Sequence, residues 1–120
     1  MIKYHDTPKG AKIAEITPES GLINGVDEML DILADSWHNG CHGIILHEGN
    51  LTRDFFDLKS GVAGEILQKF SNYRTKLAII GDFSEIRSKS LRDFIRESNN
   101  RGTINFVPSI TEALSKLDLK

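Results

Sequence analysis

Histidine and carboxylate side chains follow an apolar run near the middle of the chain, where His47 and Glu48 come directly after Gly43-Ile44-Ile45-Leu46. His47 can move a proton near neutral pH, and Glu48, or Asp82 after the next apolar run, can orient its imidazole. This set of catalytic candidates would perform general acid–base chemistry in a small enzyme. The alternative interpretation is that these polar residues finish strands, with Asn50 capping the following turn and Asp82 capping a helix.

A second polar set surrounds the predicted start of a long helix, at Phe55, Asp57, Lys59 and Ser60. Backbone N–H groups at a helix start favour an anion, but the carboxylate of Asp57 would repel one. Helix capping is therefore the competing interpretation, and replacing Ser60 with alanine should then cost about 1 kcal/mol of stability. Phe55 and Phe56 cannot both face the core from one helical stripe, so one of them is expected to cover a pocket or form a partner surface.

Residue types that commonly bind metals lie close together in the sequence at His38, Cys41 and His42. Imidazole and thiolate are good zinc ligands, but this spacing matches no standard zinc pattern. The sequence therefore predicts no bound metal, and dialysed protein should carry no stoichiometric zinc. Neither G-x-x-x-x-G-K-[ST] nor G-x-G-x-x-G occurs, so we expect no nucleotide cofactor bound by the usual routes and assign no other cofactor.

The apolar patterns predict the elements that must position these residues. Two strands, 2–5 and 11–17, flank a turn at Thr7-Pro8-Lys9-Gly10 and should form an antiparallel hairpin. Continuous apolar runs predict buried strands at 43–47 and 76–81, and residues 103–107 are predicted to form the last strand. Helical spacing predicts four helices, whose inward residues are Val26, Met29, Leu30, Leu33 and Trp37; Leu58, Val62, Ile66, Phe70 and Tyr73; Ile86, Leu91, Phe94 and Ile95; and Ile110, Ala113, Leu114 and Leu117.

Capping residues and glycines add detail to these helices. Asn24 can cap the first helix, and Ser109-Ile110-Thr111-Glu112 is a capping box for the last. The second helix is predicted to run through Gly61 and Gly64, each of which costs roughly 1 kcal/mol against alanine. Their small size would allow close packing there.

The third predicted helix, from about Ser84 or Ser88 to Ser98, carries a basic face with Arg87, Lys89, Arg92 and Arg96. A charged helix face is usually solvated, and the functional alternative is that this face docks an acidic partner. The interleaved aromatic residues of a nucleic-acid surface are missing, so we expect no nucleic-acid partner.

The element order β-β-α-β-α-β-α-β-α predicts an α/β sandwich formed by residues 1–120 as a single domain. Its sheet should be mostly parallel, with about five strands, an N-terminal antiparallel hairpin and about four helices. The carboxyl ends of parallel strands share one edge of a sheet, where ligands usually bind. We therefore expect His47, Asp57 and Asp82 to lie close together.

A long block of the chain resembles the bacterial domain-of-unknown-function family 4180. The resemblance is carried by Ile44-Ile45-Leu46-His47-Glu48, the segment from Asp54 to Gly61, the segment from Gly64 to Tyr73, and Lys76-Leu77-Ala78-Ile79-Ile80-Gly81-Asp82-Phe83. It covers nearly the whole chain. The family name implies no activity.

A more distant similarity is to STAS and SpoIIAA-like domains, which include anti-sigma-factor antagonists. These domains share the initial hairpin and the strand–helix alternation, and Phe56-Asp57-Leu58-Lys59-Ser60-Gly61 and Glu112-Ala113-Leu114 match their short motifs. The resemblance implies a regulatory module. Lys59 occupies the position of the phosphorylated serine of the antagonists, so their phosphorylation switch does not transfer. Phosphorylation of the neighbouring Ser60 stays open.

Composition narrows the remaining function classes. In the 120 residues, 15 Lys and Arg oppose 17 Asp and Glu, and the net charge of −2 provides no field to gather nucleic acid or anionic lipid. Cys41 is the single cysteine, which fits a reducing cytosol. No apolar run is long enough for a membrane span, and the start has no apolar signal region, so we expect a cytoplasmic protein.

The sequence thus favours a non-catalytic binding module for a partner protein or a small ligand. The expected binding residues are His47, Glu48, Asn50, Phe55, Asp57, Lys59, Ser60 and Asp82. The alternative is a small enzyme that uses His47, Glu48 and Asp82. A homodimer is possible.

Overall fold

The predicted apolar runs form neighbouring strands of one sheet in the computed structural model, which describes residues 2–118. The strands are β1 (Ile2–Asp6), β2 (Lys12–Ile16), β3 (Gly43–His47), β4 (Lys76–Ile80) and β5 (Ile104–Val107). The α-helices are α1 (Gly25–His38), α2 (Arg53–Phe56), α3 (Val62–Asn72), α4 (Lys89–Arg101) and α5 (Ile110–Leu117). Short 3-10 turns lie at Pro18–Ser20, Glu48–Asn50 and Leu58–Ser60.

The sheet has the order β1-β2-β3-β4-β5, in which β1 pairs antiparallel with β2 and the other pairs are parallel. The predicted fold class is confirmed: the chain is an α/β protein with a mostly parallel five-stranded sheet and an N-terminal antiparallel hairpin. None of the helices in residues 2–118 is long and apolar enough to cross a membrane.

Side chains alternate between the two faces of the sheet, because successive residues of a strand point in opposite directions. Ile44 and Leu46 of β3 belong to the larger core, which α1, α2 and α3 cover with buried apolar residues. Ile45 belongs to the smaller core, which Ala113 and Leu117 of α5 cover. α5 packs mainly on β3, β4 and β5, and every residue of β1 is exposed or half-buried, so the β1 side of this face is the more open one.

The single long helix predicted through Gly61 and Gly64 is wrong. Gly61 adopts φ +80° and ψ −4°, a left-handed conformation that separates the Leu58–Ser60 turn from α3. Residues 2–118 contain five α-helices where about four were expected, because the short helix α2 lies before this turn. Gly64 lies in α3, but a Cβ there would meet nothing within 4 Å, so it permits no close packing.

Two details of α1 also differ from the prediction. Trp37 was expected on the inward stripe but is 54% exposed, since Ser36 is the residue that turns toward the core in the last turn. Trp37 instead meets the ring of Tyr73 edge to face, with 6.3 Å between the ring centroids. Asn24 occupies the capping position, yet its side chain makes no capping hydrogen bond there. Of the capping box predicted at Ser109, the serine half is confirmed, because its hydroxyl accepts the Glu112 N–H at 3.2 Å.

Candidate functional site

Glu15 lies between two histidines on the sheet face that α5 leaves open. Its carboxylate is 2.8 Å from Nε2 of His5 at one oxygen and 2.7 Å from Nε2 of His47 at the other. Glu15 is only 8% exposed, whereas the side chains of His5 and His47 are 18% and 22% exposed. The cluster therefore consists of a buried carboxylate and two imidazoles that still reach solvent. We call these three residues the Glu15 cluster.

Strand register explains why the sequence brings these residues together. His5 lies opposite Ile13 in the antiparallel pair, and Glu15 follows Ile13 by two residues on the same face. Glu15 lies beside Ile45 in the parallel pair, and His47 follows Ile45 by two residues. The two rings thus approach the carboxylate from opposite ends, and they do not converge on one point. Within residues 2–118, no group of three His, Cys, Asp or Glu side chains could hold a metal ion.

The hydrogen bonds of the Glu15 cluster determine which ring nitrogen of each histidine carries a proton. An ionised carboxylate only accepts hydrogen bonds, so Nε2 of each histidine must carry a proton. Burial raises the pKa of Glu15, but the hydrogen bonds from His47 and His5 and the charge on these rings outweigh burial. The pKa of Glu15 therefore lies below its ordinary value of 4.5.

His47 is also part of the turn that ends β3. The turn Glu48–Asn50 forms a capping box, in which the backbone N–H of Asn50 faces the His47 ring and the Asn50 side chain accepts the His47 N–H at 2.9 Å. Asn50 is fully buried and donates to the carbonyl oxygens of Thr17 at 3.3 Å and Gly21 at 2.9 Å. These contacts hold the end of β3 against the segment after β2. Asn50 was predicted to cap the turn after it, but it instead ends the Glu48–Asn50 turn and bonds back to His47, and Thr52 is the residue that precedes α2.

Glu48 and Asp82 lie beside each other but have other partners than His47. β3 and β4 are parallel neighbours, with His47 beside Ile80, so the carboxyl ends of these two strands share an edge as predicted. Glu48 folds over Gly81 and accepts the Asp82 N–H at 3.2 Å. The Asp82 carboxylate accepts the Ser84 hydroxyl at 2.6 Å and the Ser84 N–H at 3.0 Å, which lowers the pKa of Asp82. The carboxylate that orients His47 is Glu15.

Asp57 lies at a different place from the Glu15 cluster. It follows α2, whose Phe55 is buried in the larger core on the opposite face of the sheet from Glu15. Its carboxylate accepts the Lys59 N–H at 3.2 Å and caps the Leu58–Ser60 turn. The ends of β3 and β4 share an edge as predicted, while His47, Asp57 and Asp82 each have their own hydrogen-bond partners, so their grouping at one site stays a prediction.

An open groove of about 460 Å³ lies between the Leu58–Ser60 turn and the start of α4. We call it the Lys59 groove, and its lining residues are Phe56, Asp57, Leu58, Lys59, Ser88 and Ser90. Phe55 is buried in the larger core, whereas Phe56 is only partly buried, packs against the edge of that core and lines the groove.

Ser60 has the capping role that the sequence predicted. Its hydroxyl donates to the carbonyl oxygen of Asp54 at 2.6 Å and accepts the Val62 N–H at 3.2 Å. The hydroxyl thus joins α2 to the first turn of α3 across the break at Gly61.

His38, Cys41 and His42 interact with separate neighbours. The His38 ring contacts Trp37, and Nδ1 of His42 accepts the Lys12 N–H at 3.3 Å. Cys41 is buried, which raises the pKa of its thiol.

Neither Glu15 nor His5 was predicted from the sequence as a site residue. A glutamate inside the apolar run Ile13-Ala14-Glu15-Ile16 was the available signal, because a buried carboxylate needs partners to offset its desolvation. Its position in a hairpin strand indicates that those partners lie on the flanking strands.

Fold and site together define an α/β protein with a mixed five-stranded sheet, one face of which carries a carboxylate between two histidines. The family model of the domain of unknown function DUF4180 matches residues 8–117, and the chain belongs to this family. No curated protein and no solved structure matches the chain.

Proposed function

We propose that this chain is a regulatory binding module of the STAS or SpoIIAA-like kind, acting in the bacterial cytoplasm, that holds a segment of a partner protein in the Lys59 groove. The observation that carries the proposal is the groove itself, which lies where the STAS resemblance puts its loop motif. The sequence expected a partner protein or a small ligand there, and an open groove favours the protein segment, because small-ligand sites are usually enclosed.

The groove combines an apolar floor with a polar rim. Phe56 belongs to a chain of aromatic contacts, with 6.5 Å between its ring centroid and that of Phe83, and 5.1 Å from Phe83 to Phe106. Lys59 and Ser90 on the rim are exposed. Such a surface suits a peptide segment that inserts one apolar side chain and hydrogen-bonds around it.

The geometry of His47 also supports binding over catalysis. Glu15 and the Glu48–Asn50 capping box occupy the two sides of the His47 ring. Glu48 does not contact the ring but accepts the Asp82 N–H just after the end of β4. The enzyme that uses His47, Glu48 and Asp82 therefore has less support than the binding module.

Peptides selected from a random library on the immobilised protein test the proposal. Their affinity should fall at least ten-fold on Lys59→Glu and on Ser90→Trp, which reverse a rim charge and fill the groove. Lys116→Glu, on the exposed side of α5, is the matched control and should bind normally. Selected peptides that bind all three variants equally, or that shift amide resonances of α5 rather than those of residues 56–59, would refute it.

A second candidate function is acid–base catalysis at the Glu15 cluster. The specific observation is the 2.8 Å contact between Glu15 and His5, a carboxylate–imidazole pair on the open part of the sheet face. A hydrolase substrate screen on purified protein tests it. Any activity found should disappear in His5→Gln and Glu15→Gln but persist in Lys59→Glu. Activity that survives His5→Gln excludes this role.

A further inference from the structure

We infer that the segment held in the Lys59 groove is acidic beyond its apolar anchor, because the groove opens onto a basic strip of α4. This inference rests on the proposed function and adds the chemistry of the partner. The basic strip consists of Lys89, Arg92 and Arg96.

The basic strip begins at the groove. Ser88 caps α4 and lines the groove together with Ser90, so Lys89 lies between two lining residues. Lys89, Arg92 and Arg96 are spaced by three and four residues, which places them on one side of the helix. On the other wall of the groove, Lys59 and Asp57 carry opposite charges, so the positive excess that an acidic segment would meet comes from α4.

The cations of the strip exceed the carboxylates that pair with them. Asp93 is bound by both Lys89, at 2.9 Å, and Arg96, at 3.1 Å. Arg92 donates to the carbonyl oxygen of Ile86 at 3.3 Å, so its charge is held in place but not neutralised. The side chains of Lys89 and Arg96 are 81% and 66% exposed, which leaves their charges available to a partner.

The excess of positive charge is confined to one strip of α4, so it can orient a partner on the surface. The whole chain carries a net charge of −2, so the strip is positive on a protein that is otherwise slightly negative. Complementary charge of this kind gives specificity, because it attracts a partner of opposite sign and disfavours one of like sign. An acidic segment is therefore favoured over a neutral or basic one.

The length of the strip sets the spacing expected in the partner. Ser90 and Arg96 are six residues apart, which is about 9 Å along a helix. An extended chain covers that distance in about three residues. The acidic residues should therefore occupy the three positions next to the apolar anchor.

A protein segment is favoured over a nucleic acid. The strip presents one lysine ammonium group and two arginine guanidinium groups beside serines. Phe94 of the same helix packs against the larger core, so its ring is not part of the strip. Single-stranded nucleic acid is usually held by aromatic side chains that stack on its bases.

Labelled peptides test the inference by fluorescence anisotropy. Each carries one phenylalanine followed by three glutamates, three glutamines or three lysines. The glutamate peptide should bind the wild-type chain at least ten-fold more tightly than the glutamine peptide, and the lysine peptide should bind more weakly still. Raising the salt from about 50 to 300 mM should remove most of this difference, because exposed charges are screened.

Variants locate the charge effect. Arg92→Gln with Arg96→Gln should weaken the glutamate peptide about ten-fold and leave the glutamine peptide unchanged. Lys9→Gln with Lys116→Gln makes the same change in net charge away from α4 and should leave both peptides unchanged.

The outcomes separate this inference from the proposed function. Equal binding of the glutamate and glutamine peptides, both lost in Ser90→Trp, would overturn the inference and leave the groove as the binding site. No saturable binding of either peptide to the wild-type chain would overturn both. An oligothymidylate that displaces the glutamate peptide at lower concentration than unlabelled peptide would assign the strip to nucleic acid and overturn the inference.

Discussion

Replacing Glu15 with alanine removes the acceptor that two imidazole N–H groups share. A hydrogen bond to a charged group contributes about 1.5–3 kcal/mol when it is intact. The rings of His5 and His47 are 18% and 22% exposed, so water can replace part of each lost bond. We therefore take the lower end of that range for each bond and expect Glu15→Ala to lower the free energy of unfolding by about 3 kcal/mol.

Glutamine at the same position should be less harmful. Its carbonyl oxygen can accept from one histidine, but its NH₂ group would face the Nε2–H of the other. His47 is the less able to change tautomer, because its ring also faces the Asn50 N–H in the capping box. His5 should therefore move its proton to Nδ1, and we expect Glu15→Gln to cost about 1 kcal/mol.

The pH dependence gives an independent check. The folded pKa of Glu15 lies below the unfolded value of about 4.5, so its stabilising effect is complete above that pH. The effect is lost as the pH falls through the folded pKa, because the carboxyl group then takes up a proton in the native state. The stability advantage of wild type over Glu15→Gln should therefore be smaller at about pH 3.5 than at about pH 5.5.

Urea denaturation followed by circular dichroism at both pH values measures these quantities. Glu97→Gln is the matched control, since it removes an exposed carboxylate from α4 and should change stability by less than about 0.5 kcal/mol. A loss of stability in Glu15→Ala as small as that of the control would show that the two histidines do not depend on this carboxylate. A Glu15→Gln difference that is unchanged at low pH would show the same.

Two local contacts give further predictions. A Cβ on Gly81 would lie 2.7 Å from Cδ of Glu48, so Gly81→Ala should displace that side chain and cost about 1 kcal/mol. The same substitution in a Glu48→Ala background should cost measurably less, and equal costs in the two backgrounds would contradict the contact. Ser60→Ala should cost about 1 kcal/mol by urea denaturation, because the Val62 N–H loses its acceptor. Phosphate on Ser60 in protein from its native cell would instead assign that hydroxyl a regulatory role.

The strands of the sheet could be predicted because the buried apolar residues of each strand are contiguous in the sequence. Ile44-Ile45-Leu46 and Leu77-Ala78-Ile79 are apolar at every position, as a strand covered on both faces requires. The N-terminal hairpin was equally accessible, since its turn is encoded locally. Gly10 has φ +89°, and its N–H donates to the carbonyl oxygen of Thr7 at 3.0 Å.

The Glu15 cluster could not be predicted in this way, because its residues are far apart in the sequence. His5, Glu15 and His47 are joined by the register of three strands, and a shift of one residue would send a side chain to the other face. The groove was predictable only in part. Asp57, Lys59 and Ser60 were identified from the loop, but Ser88 and Ser90 reach it through the packing of a helix that begins about thirty residues later.

Helical periodicity in the sequence does not reveal the break between α2 and α3. Substitutions at two glycines can test whether the break exists. Gly61 and Gly64 are three residues apart, and periodicity alone treats them alike. Gly61 has φ +80°, where an alanine Cβ clashes with its own backbone, so Gly61→Ala should cost about 1 kcal/mol. Gly64 lies inside α3, and an added Cβ would meet nothing within 4 Å, so Gly64→Ala should stabilise by about 0.5–1 kcal/mol. The urea midpoints of the two variants should therefore move in opposite directions. Stabilisation by both would mean that one continuous helix runs through residue 61, and the Lys59 groove, which depends on the turn before it, would not have the shape described.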